Sequence, residues 1–175
     1  METLVLHKDK LKDFLKALGD VRLVAPVNVT GKTQFCEVGD IDAAELNLDD
    51  YTAATKKIMF PQTETMFAFR STPEGVTVEE GGPAQKTVVF GIRPCDARSF
   101  VTLDPLFTKD FDDPYYMKRR EATVLIGHAC AEPTNRCFCP SVSGSPSGTE
   151  GLDVLVTDIE AGCIQRFMNL TNCWA

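Results

Sequence analysis

Seven cysteines in a chain of 175 residues are the feature whose chemistry needs explaining first. Their number is odd, and we expect no secretory signal before them, because the N-terminus METLVLHKDK becomes charged before an apolar run can form. This pattern is unlike a disulfide scaffold. It favours metal-binding, redox or buried-thiol roles.

Four of the cysteines follow two short runs that are almost entirely apolar, TVVFGI (87–92) and ATVLIG (122–127). Such runs are typical of strands buried on both faces, and ligands of α/β proteins collect beyond the carboxyl ends of these strands. We therefore expect the four thiols to share one edge of a sheet. These candidate ligands are Cys95, Cys130, Cys137 and Cys139.

By number, four thiolates suit a tetrahedral zinc ion and a [4Fe–4S] cluster equally well. The paired C-x₂₋₄-C knuckles of zinc sites are absent from the sequence, and so is the C-x₂-C-x₂-C-x₃-C run of a ferredoxin. The six residues between Cys130 and Cys137 are enough to wrap a bulky cluster, which favours iron–sulfur. A zinc site and free thiols remain the alternatives.

Three arginines lie within a few residues of the candidate ligands, in a chain whose formal net charge is −7: Arg93, Arg98 and Arg136. An all-thiolate cluster is negatively charged, so nearby cations would stabilise its reduced form and raise its potential. We expect the three arginines to tune the cluster in this way. The alternative is that each pairs with a carboxylate such as Asp96, Glu132 or Glu121.

The other cysteines have simpler interpretations. Cys36 alternates with Phe35 in a β-rich run, and we expect it to be a small buried hydrophobe. Cys163 and Cys173 follow the last strongly apolar run, and we interpret them as exposed thiols, with further metal ligation as the alternative.

No catalytic residue is assigned from the sequence. The nucleotide-binding, zinc-protease and serine-hydrolase motifs are all missing. His128 and Cys130 stand two residues apart, so on an extended loop their side chains would point apart and make a poor base–nucleophile pair. We expect His128 to be a structural loop residue.

The elements that must position these residues form an α/β pattern. Apolar residues at helical spacing predict helices over 11–18, 96–107 and 115–120. Short β-rich or apolar runs predict strands at 21–29, 33–38, 66–70, 76–79, 87–92, 122–127 and 152–159, the first two forming a hairpin. The expected fold class is α/β, or mixed α+β, with a mixed or parallel sheet, flanking helices and a cysteine-rich loop at the strand carboxyl ends.

Length and charge limit the organisation and the partners. We expect one compact domain, in which an N-terminal α+β segment (1–85) packs on a cluster-binding α/β unit (86–175). The chain has 25 acidic and 18 basic residues, which disfavours nucleic acid and anionic membranes as partners. No run of 18 apolar residues is present, so we do not expect membrane insertion. We expect a cytoplasmic location.

Four segments, in this order along the chain, resemble the N-terminal half of the hydrogenase/sulfur reductase beta-subunit family. That family includes the A subunit of anaerobic sulfite reductase and related 4Fe-4S dicluster domain proteins. The segments are KKIMFPQTETMFAFR (56–70), FGIRPCDARSF (90–100), DDPYYMKRR (112–120) and IGHACAEPTNRCFCPSVSGSPSGTEGLDVLVTD (126–158).

The resemblance implies a non-catalytic subunit that relays single electrons through iron–sulfur clusters between a flavoprotein partner and a catalytic subunit. It maps the RPCD cysteine onto Cys95 and the second motif onto Cys130, Cys137 and Cys139. Thr134 stands where family members often have another cysteine. The ferredoxin-like half with which such subunits usually continue is expected to be absent from this chain.

Overall fold

The computed structural model describes residues 2–42, 55–81, 84–159 and 162–167. The strands are β1 (Glu2–Leu6), β2 (Arg22–Val29), β3 (Lys32–Glu37), β4 (Phe67–Thr72), β5 (Gly75–Glu80), β6 (Thr87–Ile92), β7 (Thr123–His128), β8 (Val154–Ile159) and β9 (Gly162–Phe167). The α-helices are α1 (Leu11–Ala17), α2 (Pro94–Thr108) and α3 (Pro114–Glu121). The stretch 40–55, interpreted from sequence as a loop with one short helix, lies mostly outside the described residues.

Seven of the strands form one mixed sheet in the order β1-β9-β8-β7-β6-β2-β3. The four central strands, β8, β7, β6 and β2, are parallel to one another, and antiparallel strands complete both edges. The sequence-based expectation of an α/β fold with a mixed or parallel sheet is confirmed. β4 and β5 pair only with each other, as a separate hairpin.

Helices cover both faces of the sheet. On one face, α2 and α3 pack through Ala97, Phe100 and Tyr116 against apolar side chains of the central strands. On the other face, α1 packs through Leu15. The central strands have apolar side chains on both faces because both faces are covered, which explains their nearly continuous apolar sequences. Among the described residues, no helix has both the length and the apolar character needed to cross a bilayer.

A bulge interrupts the end of β6, immediately before the first candidate ligand. Val89 and Ile92 lie in the same core, although an uninterrupted strand would point them to opposite faces. The pairing with β7 shifts between Phe90 and Ile92, and Gly91 between them has a φ of +79°. A left-handed residue of this kind favours glycine. The extra residue changes the direction of the chain that leads to Cys95.

The interpretation of Cys36 as a buried residue is wrong. Cys36 lies on β3 at the edge of the sheet and is only partly buried, whereas its neighbour Phe35 is in the core. Adjacent strand residues face opposite sides of a sheet, so Cys36 faces the side on which its pairing partner Ala25 is buried, but its position on the edge strand leaves it less completely covered than Phe35.

Two strands were not expected from the sequence, β1 and β9. They pair with each other, and β9 pairs antiparallel with β8. The sequence of β9, GCIQRF, mixes polar with apolar residues and lacks the continuous apolar pattern of the central strands. A strand completed only by tertiary pairing leaves a weak signal in a single sequence.

Candidate metal centre

The two strands that lead to the cysteines are direct neighbours. β6 pairs parallel with β7, and Ile92 at the end of β6 lies opposite Gly127 near the end of β7. The carboxyl ends of both strands are therefore at the same edge of the sheet. Cys95 and Cys130 follow the two strands at this edge.

Cys95 lies in the first turn of α2. Arg93 is the N-cap and Pro94 occupies the first helical position, where the missing N–H is not needed by the helix. Partial burial raises the pKa of the Cys95 thiol, and the charges of Asp96 and Cys130 raise it further. The Arg93 guanidinium opposes them and favours the thiolate.

Cys130, in the loop after β7, is half-buried. Its backbone N–H donates to the carbonyl oxygen of Pro146 at 3.0 Å. Burial raises the pKa of its thiol, and the charges of Cys137, Cys139 and Asp96 add to the effect. All four candidate ligands are thus coupled electrostatically through Cys130.

Cys137 is exposed, as Cys95 is, and hydrogen bonds and nearby cations favour its thiolate. The backbone N–H of Thr134 donates to its Sγ at 3.2 Å, and the Thr134 hydroxyl lies 3.4 Å from the same sulfur. These hydrogen bonds lower the pKa of Cys137, and the charges of Arg93 and Arg136 lower it further. Thr134 therefore has a role of its own beside the sulfur.

Cys139 opens a 3-10 turn, Cys139–Val142, in the loop that leads towards β8. Arg98, on α2, fixes this loop twice: its guanidinium donates to the carbonyl oxygen of Val142, and its Nε lies 2.7 Å from a Glu150 carboxylate oxygen. The partner of Arg98 is thus none of the three carboxylates considered from the sequence. The ion pair joins the helix that starts beside Cys95 to the loop that carries Cys139.

The same loop crosses α2 closely at Gly151, a residue that the sequence analysis did not single out. Gly151 has a φ of +81°, and a Cβ added there would stand 2.6 Å from the carbonyl oxygen of Ala97. Only glycine allows this approach without displacing the helix backbone. The general signal for such a position is a glycine directly before a buried strand.

Within the part of the chain that the structure describes, no three His, Cys, Asp or Glu side chains are arranged as a metal-binding group. The donor chemistry nevertheless suits an iron–sulfur group, because Cys95 and Cys130 follow two neighbouring strands, all four candidates are thiols, and the Arg93 cation favours the thiolate form of Cys95, Cys130 and Cys137. The side chain of Cys163 is not among those described, and Cys173 lies outside the described residues.

Comparison with known proteins gives one informative match. The chain is 29% identical over 167 residues to "Sulfhydrogenase 2 subunit beta" of Pyrococcus furiosus, an alignment that covers 95% of this chain and 48% of the relative. The chain is a distant homologue of that subunit. It spans about half of the relative's length. No family model and no solved structure matches the chain.

The match covers the cysteine-bearing edge of the sheet together with most of the rest of the chain. It agrees with the hydrogenase part of the resemblance found in the sequence. The name of that relative makes no mention of sulfite reductase.

Proposed function

We propose that this chain is an iron–sulfur electron-transfer subunit or module of a larger cytoplasmic redox complex of the hydrogenase or sulfur reductase type. The observation that carries the proposal is the position of Cys95 and Cys130 at the ends of two adjacent parallel strands, coupled electrostatically to Cys137 and Cys139. In the proposal, these four thiolates hold one [4Fe–4S] cluster.

When bound, the cluster would supply one-electron redox chemistry. The chain's own residues stabilise thiolates and fix the loops that carry them. Arg93 favours the charged form of three thiols, and Arg136 does so for Cys137. Arg98 contributes as a positioning residue, because it fastens the Cys139 loop to α2. Together these are the three arginines that we propose tune the site.

The distant relationship to a sulfhydrogenase beta subunit supports a role beside other subunits. We propose a flavoprotein subunit and a ferredoxin-like module as the partners that exchange electrons with this chain. No substrate bond is made or broken here, so the chain is proposed as a non-catalytic component of an oxidoreductase.

Serine variants of the cysteines test the proposal directly. The full chain is reconstituted anaerobically with iron and sulfide, reduced with dithionite, and examined by EPR. We expect Cys130→Ser to lose most of the cluster signal, because Cys130 is coupled to all three other ligands. Cys36→Ser is the matched control, because Cys36 lies on the edge strand β3, and it should keep the signal of the unmodified chain.

Two outcomes would overturn the assignment. Equal losses in Cys130→Ser and Cys36→Ser would show that the signal does not come from this edge of the sheet. About one zinc ion per chain without sulfide would instead identify a zinc-stabilised interaction domain.

A further inference from the structure

The tight turn 134–137 directs two hydrogen-bond donors of its first residue at the sulfur of its last. The backbone N–H of Cys137 donates to the carbonyl oxygen of Thr134 at 3.1 Å, which closes the turn with Asn135 and Arg136 at its centre. In the opposite direction, the N–H of Thr134 donates to Cys137 Sγ at 3.2 Å, and Thr134 Oγ1 lies 3.4 Å from the same sulfur. Three contacts therefore join the two ends of the turn.

The direction of the hydroxyl contact follows from the chemistry of a ligand sulfur. A cysteine that binds metal does so as a thiolate, which has no proton, so its sulfur can only accept a hydrogen bond. The hydroxyl of Thr134 is then the donor. Its oxygen accepts the backbone N–H of Arg136 at 3.4 Å through a lone pair, and this leaves the hydroxyl proton available to the sulfur.

The candidate ligands differ in the donors that reach their sulfurs. Cys95 accepts a backbone hydrogen bond from Asp96. Among the residues that the structure describes, the hydroxyl of Thr134 is the one hydroxyl in hydrogen-bond contact with a candidate ligand sulfur. The side chain at position 134 therefore gives Cys137 a contact that the backbone alone would not supply.

Such a donor affects the two oxidation states of a cluster unequally. A hydrogen bond to a negatively charged acceptor is stronger than one to a neutral acceptor. Reduction makes the cluster and its sulfurs more negative, so the donor stabilises the reduced state more than the oxidised state. Hydrogen bonds to the sulfurs are accordingly among the factors that set the potentials of iron–sulfur clusters.

We propose that Thr134 raises the reduction potential of the cluster by donating its hydroxyl to Cys137 Sγ. The inference rests on the proposed iron–sulfur site, and it adds a neutral donor to the three arginines proposed to tune that site. Thr134 is not a ligand in this proposal, because it acts through the sulfur of Cys137.

Potentiometric titration of Thr134 variants tests this inference. The full chain is reconstituted anaerobically with iron and sulfide, and its reduction is followed by EPR. Thr134→Val replaces the hydroxyl by a methyl group of similar size, which also keeps water from the vacated place, and we expect its midpoint potential to fall. Thr134→Ser keeps the hydroxyl and is the matched control, with the midpoint of the unmodified chain. Both variants keep the backbone N–H at position 134, so the difference between them reports the hydroxyl.

Deuterium ENDOR of the reduced cluster after exchange into D₂O gives a second readout. We expect the coupling of the hydroxyl deuteron in the unmodified chain and in Thr134→Ser, and its loss in Thr134→Val, while the coupling of the backbone deuteron remains in all three.

Several results would overturn the inference while leaving the proposed function intact. They are an unchanged or raised midpoint in Thr134→Val, an equal shift in Thr134→Val and Thr134→Ser, and a Thr134→Val spectrum that keeps the hydroxyl coupling or loses both couplings. An unmodified chain that forms no cluster would instead overturn the proposed function, and this inference with it.

Discussion

Arg93 is the cation common to three of the four candidate ligand thiols. Burial raises the pKa of Cys95 and Cys130, and the Arg93 charge opposes that rise; at Cys137 the same charge adds to the lowering of the pKa by the Thr134 hydrogen bonds. Its position follows from the fold, since it is the N-cap of α2 and follows the bulge of β6. A single residue at the strand end can therefore influence ligands from two different loops.

Replacing Arg93 by Gln should lower the reduction potential of the bound cluster. Removal of one positive charge destabilises the reduced, more negative state, by an amount on the order of tens of millivolts. Arg93→Lys keeps the charge and should shift the potential less. Anaerobic potentiometric titration followed by EPR measures both variants, and an upward shift in Arg93→Gln would show that Arg93 does not act through its charge.

Thr134→Val should make Cys137 less reactive in metal-free protein. The hydroxyl of Thr134 is the largest contributor to the lowered pKa of Cys137, so its loss raises that pKa and reduces the thiolate fraction near pH 7. Alkylation by iodoacetamide, followed by mass spectrometry of the Cys137 peptide, should slow by a factor of a few. Thr134→Ser retains the hydroxyl and should react like the unmodified chain; equal slowing in both variants would contradict the role of the hydroxyl.

The loop between β7 and β8 depends on its contacts with α2. Arg98 holds it through Val142 and Glu150, and Gly151 brings its backbone against that of Ala97. These contacts join positions about 50 residues apart in sequence. They fix the segment that carries Cys137 and Cys139 relative to the helix that begins beside Cys95.

Gly151→Ala should destabilise the fold by about 1–3 kcal/mol, because alanine is strained at this positive φ and its Cβ would meet the carbonyl oxygen of Ala97. Thermal unfolding followed by circular dichroism measures the loss. Gly39→Ala is the control, since a Cβ at Gly39 meets nothing within 4 Å. Similar melting temperatures for the two variants would contradict the close approach of loop and helix.

Asp153 joins the start of β8 to β7. Its carboxylate accepts a hydrogen bond from the N–H of buried Leu125 at 2.8 Å. Asp153→Ala leaves that N–H without its acceptor and should cost about 1–3 kcal/mol of unfolding free energy in urea denaturation. Asp153→Asn keeps an acceptor and should cost less; an equal cost in both would show that the hydrogen bond contributes little.

The same carboxyl gives a pH dependence with a defined sign. Burial raises the pKa of Asp153 above its unfolded value, so the folded state favours the protonated form. Its contribution to stability is present below the unfolded pKa and is lost as the pH rises through the folded pKa. Urea denaturation at pH values from below the unfolded pKa of Asp153 to above its folded pKa should show the unfolding free energy of Asp153→Asn rising relative to that of the unmodified chain as the pH rises. A difference that stays constant with pH would contradict the raised pKa.

The arrangement of the central sheet could be predicted from the sequence because three apolar runs indicated buried strands. Two of these runs are followed closely by cysteines. Chain direction then placed Cys95 and Cys130 at one edge. Other features depend on tertiary contacts that leave no local signal. The pairing of Arg98 with Glu150 is one such feature, and the edge position that leaves Cys36 partly exposed is another.

As a whole, the molecule separates two surfaces along α2. The cysteine edge lies at the start of the helix, and a cleft lined by Phe60 and Phe107 lies near its end. The chain covers about half the length of its sulfhydrogenase relative.

We propose that four thiols at one edge of the sheet hold an iron–sulfur cluster. The most direct test of this proposal is the iron and acid-labile sulfide content of the full chain after anaerobic reconstitution. The proposed site predicts about four iron and about four sulfide per chain. A chain that stays colourless and binds neither, or that takes up zinc without sulfide, would contradict the iron–sulfur site.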